Sequence, residues 1–222
     1  MEKIEKRLYE IHSQLDFDKR TLLQEIPEQL MILKHIRPEH RVLELGGSVG
    51  RASCIINYIL DNKEKHLVIE PNLNEAKKLK ENRDKNSFKF IIETSAVSKN
   101  KLFSRGWHTF KNHVPGSVEI DIISLENLKE KYKLDYDVLV IDNEGNFVEN
   151  LTDFPEILDG VKLLQIEHDF NSEEDINFFY STMEKHNFKM IDKFLKTDKF
   201  GPGMNWNDGV QTDPIFVSVW KR

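Results

Sequence analysis

From Pro38 onward the chain switches repeatedly between short runs that are apolar on both faces and longer stretches that are apolar on one. Arg41–Leu45 (RVLEL), His66–Glu70 (HLVIE), Phe88–Ile92, Asp137–Asp142 (DVLVID) and Lys162–Glu167 (KLLQIE) have the length and composition of strands. Helical stretches lie between them. Ala52, Ile55, Ile56, Ile59 and Leu60 fall on one face. Asn72 and Glu75 form a capping pair that opens a helix to about Asn86. A further helical piece covers Val148–Leu158, and another starts near Ser172 and carries Ile176, Phe179, Tyr180 and Met183 on one side. A strand apolar on both faces belongs in the middle of a parallel sheet with helices on either side, so this alternation restricts the chain to an α/β fold.

Two final strands, Phe188–Leu195 and Ile215–Trp220, are separated by Thr197–Pro214, which has no helical periodicity. They can therefore pair antiparallel. The expected architecture is a mostly parallel seven-stranded sheet with a C-terminal antiparallel hairpin and helices on both faces. Before Pro38, Ile4, Leu8, Ile11 and Leu15 make one apolar stripe, which Asp16-Phe17-Asp18 interrupts. Leu22, Leu23, Ile26, Leu30 and Leu33 predict a second helix over Thr21–Ile36, ended by Pro38. Residues 1–38 read as a helical cap on 39–222, and 1–222 as one domain.

Composition narrows the class of protein. A hydrophobic fraction of 39% in 222 residues supports a full core without disulfide or metal staples. The net charge of −6 opposes a nucleic-acid partner, which selects for excess base. One cysteine, Cys54, excludes an intramolecular disulfide and a cysteine-based zinc cluster and fits a reducing compartment. The opening MEKIEKRLYEIHSQ is too charged for a signal peptide, and no apolar run is long enough for a membrane span. A cytoplasmic location is the expectation.

Glu44-Leu45-Gly46-Gly47-Ser48-Val49-Gly50 stands between the first strand and the first helix of the sheet region. Glycine permits a tight turn and close approach of backbone to a ligand, and the helix behind it offers free N–H groups. The same turn also serves a plain strand–helix junction. A dinucleotide fingerprint ending at Gly50 would need glycine where Leu45 stands. An acid two residues before Gly46, with a second glycine at Gly50, is instead the arrangement of class I S-adenosylmethionine (SAM) methyltransferases. Glu70, at the end of the second strand, suits the two ribose hydroxyls of an adenosine. The N/D-P-P-Y/F motif of amino-group methyltransferases is absent, since that place reads Asp142-Asn143-Glu144-Gly145.

Taken in order, VLELGGSVG (42–50), VIEPN (68–72), SAVS (95–98), SLENL (124–128), IDNEG (141–145) and LLQIE (163–167) resemble the FkbM-like methyltransferases. This is a SAM-dependent family of O-methyltransferases, and the resemblance covers roughly residues 40–170. It implies that Glu44, Gly46, Gly47 and Gly50 surround the methionine part of SAM, with the Glu44 charge facing its ammonium. It further implies Glu70 and Asn72 at the ribose, Ser95 and Ala96 at the adenine, and Asp142 near the methyl group. GGSVG departs from the family's more usual G-A-N-x-G.

Methyl transfer to a hydroxyl needs alignment and a base for the proton. Asp142, Glu144 and His168 are the candidates, with His168 weighed equally as a structural histidine. Asp142, Glu167 and Asp169 at neighbouring strand ends also form a set of hard oxygen ligands for Mg²⁺, the lesser reading, and no metal is assigned. Acceptor binding is expected in two irregular segments, Phe103–Val118 and Thr197–Pro214, through Trp107, His108, Asn205 and Trp206. An aromatic face edged by amides suits a sugar. The expected function is O-methylation of a sugar or glycan hydroxyl. Methylation of another small molecule or nucleic acid, or SAM binding without catalysis, are the alternatives.

Overall fold

A computed structural model of the chain describes residues 2–106, 108–198 and 213–222. Helices α1 (Glu2–Gln14), α2 (Lys19–Leu22) and α3 (Ile26–His35) precede β1 (Val42–Leu45), α4 (Arg51–Ile59), β2 (His66–Ile69), α5 (Leu73–Lys85) and β3 (Ile91–Glu93). Five short strands follow: β4 (Ala96–Val97), β5 (Leu102–Arg105), β6 (His108–Phe110), β7 (Val118–Ile120) and β8 (Ile122–Ile123). The chain then forms α6 (Leu125–Tyr132), β9 (Val138–Ile141), α7 (Phe147–Asp153), β10 (Leu163–Glu167), α8 (Glu173–Lys185), β11 (Lys189–Leu195) and β12 (Ile215–Lys221).

The main sheet has seven strands in the order β11-β12-β10-β9-β1-β2-β3. β3, β2, β1, β9 and β10 run parallel, and β12 pairs antiparallel with both β10 and β11. The expected sheet and hairpin are therefore present. Alternation within each strand divides the core. Leu43, Leu139 and Leu164 pack with Leu151, Phe154 and Phe179 on one face. Val42, Val138 and Leu163 pack with Leu8, Leu30 and Ile55 on the other. Among the described residues no helix is long and apolar enough to cross a membrane.

Three elements differ from the sequence expectation. The helix over Thr21–Ile36 is broken, because Glu25 takes a left-handed conformation (φ 54°) and α3 begins afresh with Pro27 in its first turn. Pro27 costs nothing there, where its missing N–H would have had no partner. The third strand begins at Ile91, because Ser87 is left-handed and the Phe88 N–H turns back to Arg83 O (3.0 Å), closing α5. Phe103–Val118, read as irregular, contains most of a three-stranded antiparallel sheet ordered β6-β5-β7. Its strands are LFSR, HTF and VEI, with mixed faces that carry little alternating hydrophobicity.

Candidate active site

A cavity of about 600 Å³ opens where β1, β2, β9 and β10 end. In open α/β sheets the carboxyl ends of parallel strands are where ligands bind. Gly46 forms its floor at φ +93°, and a β-carbon there would lie 1.6 Å from the backbone oxygen of Asp142. Only glycine lets β1 turn this close to β9. Beyond it, the Ser48 N–H donates to Glu70 Oε2 (2.6 Å) and the Asn72 N–H donates to Glu70 Oε1 (2.8 Å). These bonds aim the carboxylate into the cavity and leave lone pairs on both oxygens. Burial, opposed by the Asn72 and Ser48 N–H groups, pushes the Glu70 carboxyl up to about 7.

Asn72 lines the cavity, caps α5 by accepting from the Asn74 N–H (3.0 Å), and reaches the three-stranded sheet by donating to Gly106 O (3.3 Å). Ala96 and Val97 line the wall beyond it. Ser95 does not; its N–H is spent on Glu93 Oε1 (2.8 Å). Gly47 and Gly50 also stand behind the wall, packed against Val68 and Leu79 of β2 and α5.

Two further expectations need correction. Glu44, expected to face the ammonium of SAM, is 1% exposed and turned away from the cavity. Its Oε1 accepts from Ser53 Oγ (2.9 Å), and its Oε2 lies 2.7 Å from His66 Nε2. Leu45, the next residue, takes the cavity side, as the two-residue period of a strand requires. His168, a candidate base, is likewise buried behind β10. Trp220 Nε1 donates to Ser218 Oγ (2.7 Å), which leaves the hydroxyl hydrogen for His168 Nε2 at 2.7 Å. His168 Nδ1 donates to Asp213 Oδ2 (2.7 Å), and the ring packs edge-on against Phe170, Phe179 and Tyr180. Burial raises the Asp213 carboxyl, but the interactions with His168, the Ile215 N–H and the Lys196 charge together outweigh it and hold the group below its ordinary value. With both ring nitrogens committed, His168 is structural.

The other two base candidates do border the cavity. Asp142 stands at the end of β9. Gly145, three residues on, packs against the Asp169 backbone, where a β-carbon would lie 2.4 Å from the carbonyl oxygen. That contact explains glycine in Asp142-Asn143-Glu144-Gly145. Glu144 sits at the rim, 4.0 Å from the exposed His108. Trp107, Asn205 and Trp206 lie outside the described residues.

Around Asp142 the cavity is acidic. One carboxylate oxygen from each of Asp142, Glu167 and Asp169 lies within 4.8 Å of the others, and the same holds for Glu25, Glu28 and Asp142. Arg51 pairs with Glu25, its Nε donating to Oε2 (2.6 Å). Burial, with the Glu25 charge, pushes the Asp142 carboxyl up to about 8; burial, with Glu144, pushes Asp169 up to about 7. Glu28 and Glu167 are raised well above the ordinary range, again chiefly by burial. Sequence reasoning missed Ser48, Arg51, Lys196 and the two α3-region acids, Glu25 and Glu28. Pro27 marked a helix start beside those acids, but nothing local to them pointed to the strand ends.

No protein-family model matches the chain, and no curated protein matches it in sequence. Solved structures match its fold. A putative RNA methyltransferase from Pyrococcus horikoshii superposes with a TM-score of 0.55 at 12% identity, covering 100% of this chain and 97% of that one. An O-methyltransferase from Bacillus cereus in complex with SAH gives 0.53 at 12%, covering 100% and 91%. An rRNA methylase from Streptococcus thermophilus gives 0.51 at 11%, covering 87% and 93%. The shared architecture is the Rossmann-like methyltransferase fold.

Proposed function

We propose that the chain is a SAM-dependent O-methyltransferase whose acceptor is a hydroxyl of a sugar or glycan. One observation carries the reading: Glu70, at the end of β2, presents a carboxylate with spare lone pairs to a cavity at the carboxyl ends of parallel strands. That is the acceptor pair an adenosine ribose needs. Further support comes from the fold shared with methyltransferases and from a volume inside the usual range for small-molecule sites. SAM, when bound, supplies a methyl group on a sulfonium. Glu70 then holds the ribose, with Asn72 beside it and Ala96 towards the adenine, and Gly46 keeps the floor open.

With no cation bound, Asp142 is the base we favour. Its raised carboxyl takes a proton from a hydroxyl near neutral pH more readily than an ordinary aspartate would. Glu144 and His108 at the rim would meet the acceptor. Carboxylates around the cavity repel a phosphate backbone, which favours a small or glycan acceptor over nucleic acid. We also propose that residues 1–222 work as one domain, in which 1–38 contribute the Glu25 wall of the cavity. The buried free thiol of Cys54 fits the cytoplasm.

Calorimetry with SAM and SAH, followed by methyl transfer from labelled SAM to a panel of monosaccharides and nucleosides, tests the reading. Absence of heat with SAM refutes it. SAM binding with label only in nucleosides would keep the cofactor and replace the acceptor. SAM binding without any transfer would leave a binding protein.

A further inference from the structure

We propose that the acids beneath the cavity hold a divalent cation, ligated by Glu28 of α3, Asp142 after β9, and Glu167 and Asp169 at the end of β10. Binding of the ion stands on the carboxylates alone; its use, lowering the pKa of an acceptor hydroxyl, rests on the methyltransferase reading.

Glu28 is the observation that separates this cluster from an ordinary acidic surface. Its side chain is 3% exposed, and among the described residues its Oε1 has no hydrogen-bond partner. A carboxylate oxygen buried without a donor is costly unless a proton or a cation meets it. One oxygen of Glu28 comes within 4.8 Å of Asp142, the oxygens of Asp142, Glu167 and Asp169 lie within the same limit of one another, and the Glu28 and Glu167 carboxyls are hydrogen-bonded. Mg²⁺ and Ca²⁺ bind oxygen at about 2.0–2.6 Å, so oxygens around one ion stand no more than about 5 Å apart. The spacing of Asp142, Glu167 and Asp169 fits one ion, with Glu28 set against two of its ligands.

Charge points the same way. Five carboxylates converge here, and among the described residues the cationic side chains bordering the same space are Arg51, which is paired with Glu25, Lys78, which is paired with Glu75, and Lys196. Hard oxygen ligands from three separate elements suit a hard divalent ion better than a single ammonium, which supplies half the charge. The consequence for the fold is specific. Glu28 comes from the N-terminal helices and the other ligands from the sheet, so the ion would tie one to the other.

Metal-free protein, dialysed against EDTA and then freed of it, is titrated with Mn²⁺ while the electron-spin-resonance signal of free Mn²⁺ is followed. The expected result is one Mn²⁺ per chain, displaced by Mg²⁺. Glu28→Gln and Asp169→Asn should each weaken it by at least about tenfold while keeping the wild-type circular dichroism spectrum. No bound Mn²⁺ overturns the proposal, as does Mn²⁺ binding that Glu28→Gln leaves unchanged. If Mn²⁺ fails to bind but methylammonium does, the acids serve a cationic acceptor and the proposal is again overturned. SAM is titrated separately in EDTA. Loss of SAM binding with Mn²⁺ retained counts against the methyltransferase reading alone, and the reverse pattern against the ion alone.

Discussion

Glu70 offers the most direct test of how the cavity would hold an adenosine. Its carboxyl sits near pH 7, and only the ionised form offers acceptors to both ribose hydroxyls while keeping the bonds from Ser48 and Asn72. With that pKa, about one-eleventh of the population is ionised at pH 6 and about ten-elevenths at pH 8. The dissociation constant for adenosine should therefore fall about tenfold over this range, equivalent to about 1.4 kcal/mol. Adenosine is the ligand of choice, because the α-amino group of SAM itself titrates near pH 8. Glu70→Gln preserves shape but places an NH₂ where the carboxylate accepts. Either the Ser48 or the Asn72 N–H then loses its partner, and a ribose hydroxyl loses one too. A lost charged hydrogen bond is worth about 1.5–3 kcal/mol, so binding at pH 8 should weaken roughly 10- to 100-fold, with no pH slope left. Calorimetry at pH 6, 7 and 8 at constant ionic strength reads both effects. A wild-type affinity that stays flat with pH, or a Gln variant that binds as well at pH 8, refutes the ribose assignment.

Other perturbations follow from the same geometry. His168→Ala leaves the buried Asp213 carboxylate with the Ile215 N–H on Oδ1 but no partner on Oδ2, so urea unfolding should show a loss of about 1–3 kcal/mol. Wild-type stability with abolished methyl transfer would instead return His168 to the chemistry. Gly46→Ala drives a methyl group into the Asp142 carbonyl at a left-handed position, and should lower stability by at least about 3 kcal/mol. A thermal melt within a degree of wild type would show that β1 and β9 part easily. Between about pH 5 and pH 8 the metal-free protein should become less stable. Glu70, Asp142 and Asp169 have folded pKa values raised above their unfolded ones, so their contribution is complete below the unfolded pKa and is lost as pH rises through about 7 to 8. A melting temperature that climbs across that window contradicts the burial of these acids.

The sheet was legible because its central strands carry apolar residues on both faces, a pattern that VLEL, VLVI and LLQIE share. Glycine and an acid at strand ends likewise marked Gly46, Glu70 and Asp142. Reading strand-end acids without the two-residue period was the weakness. Residues 167 and 169 face the cavity, so 168 between them must face the core, and Glu44 stands in the same relation to Leu45. The convergence of Glu25 and Glu28 on Asp142 was beyond local reading, because more than a hundred residues separate them and only packing of α3 on β10 brings them together. The three-stranded sheet was missed for a different reason: it is small, half exposed, and has no apolar face to betray it.

That small sheet has an anatomy of its own. It departs from β4 and returns at β8, and these two meet in a parallel bridge, with Ala96 opposite Ile122 and Val97 opposite Ile123. Among the described residues β5, β6 and β7 form a ladder separate from the seven-stranded sheet, yet Ser104, Gly106 and Thr109 overhang the cavity. An excursion clamped at its base can be lengthened, trimmed or exchanged with little strain on the frame beneath it. Such a plug-in module is where diversification of ligand choice would meet the least resistance, in the laboratory or by natural drift.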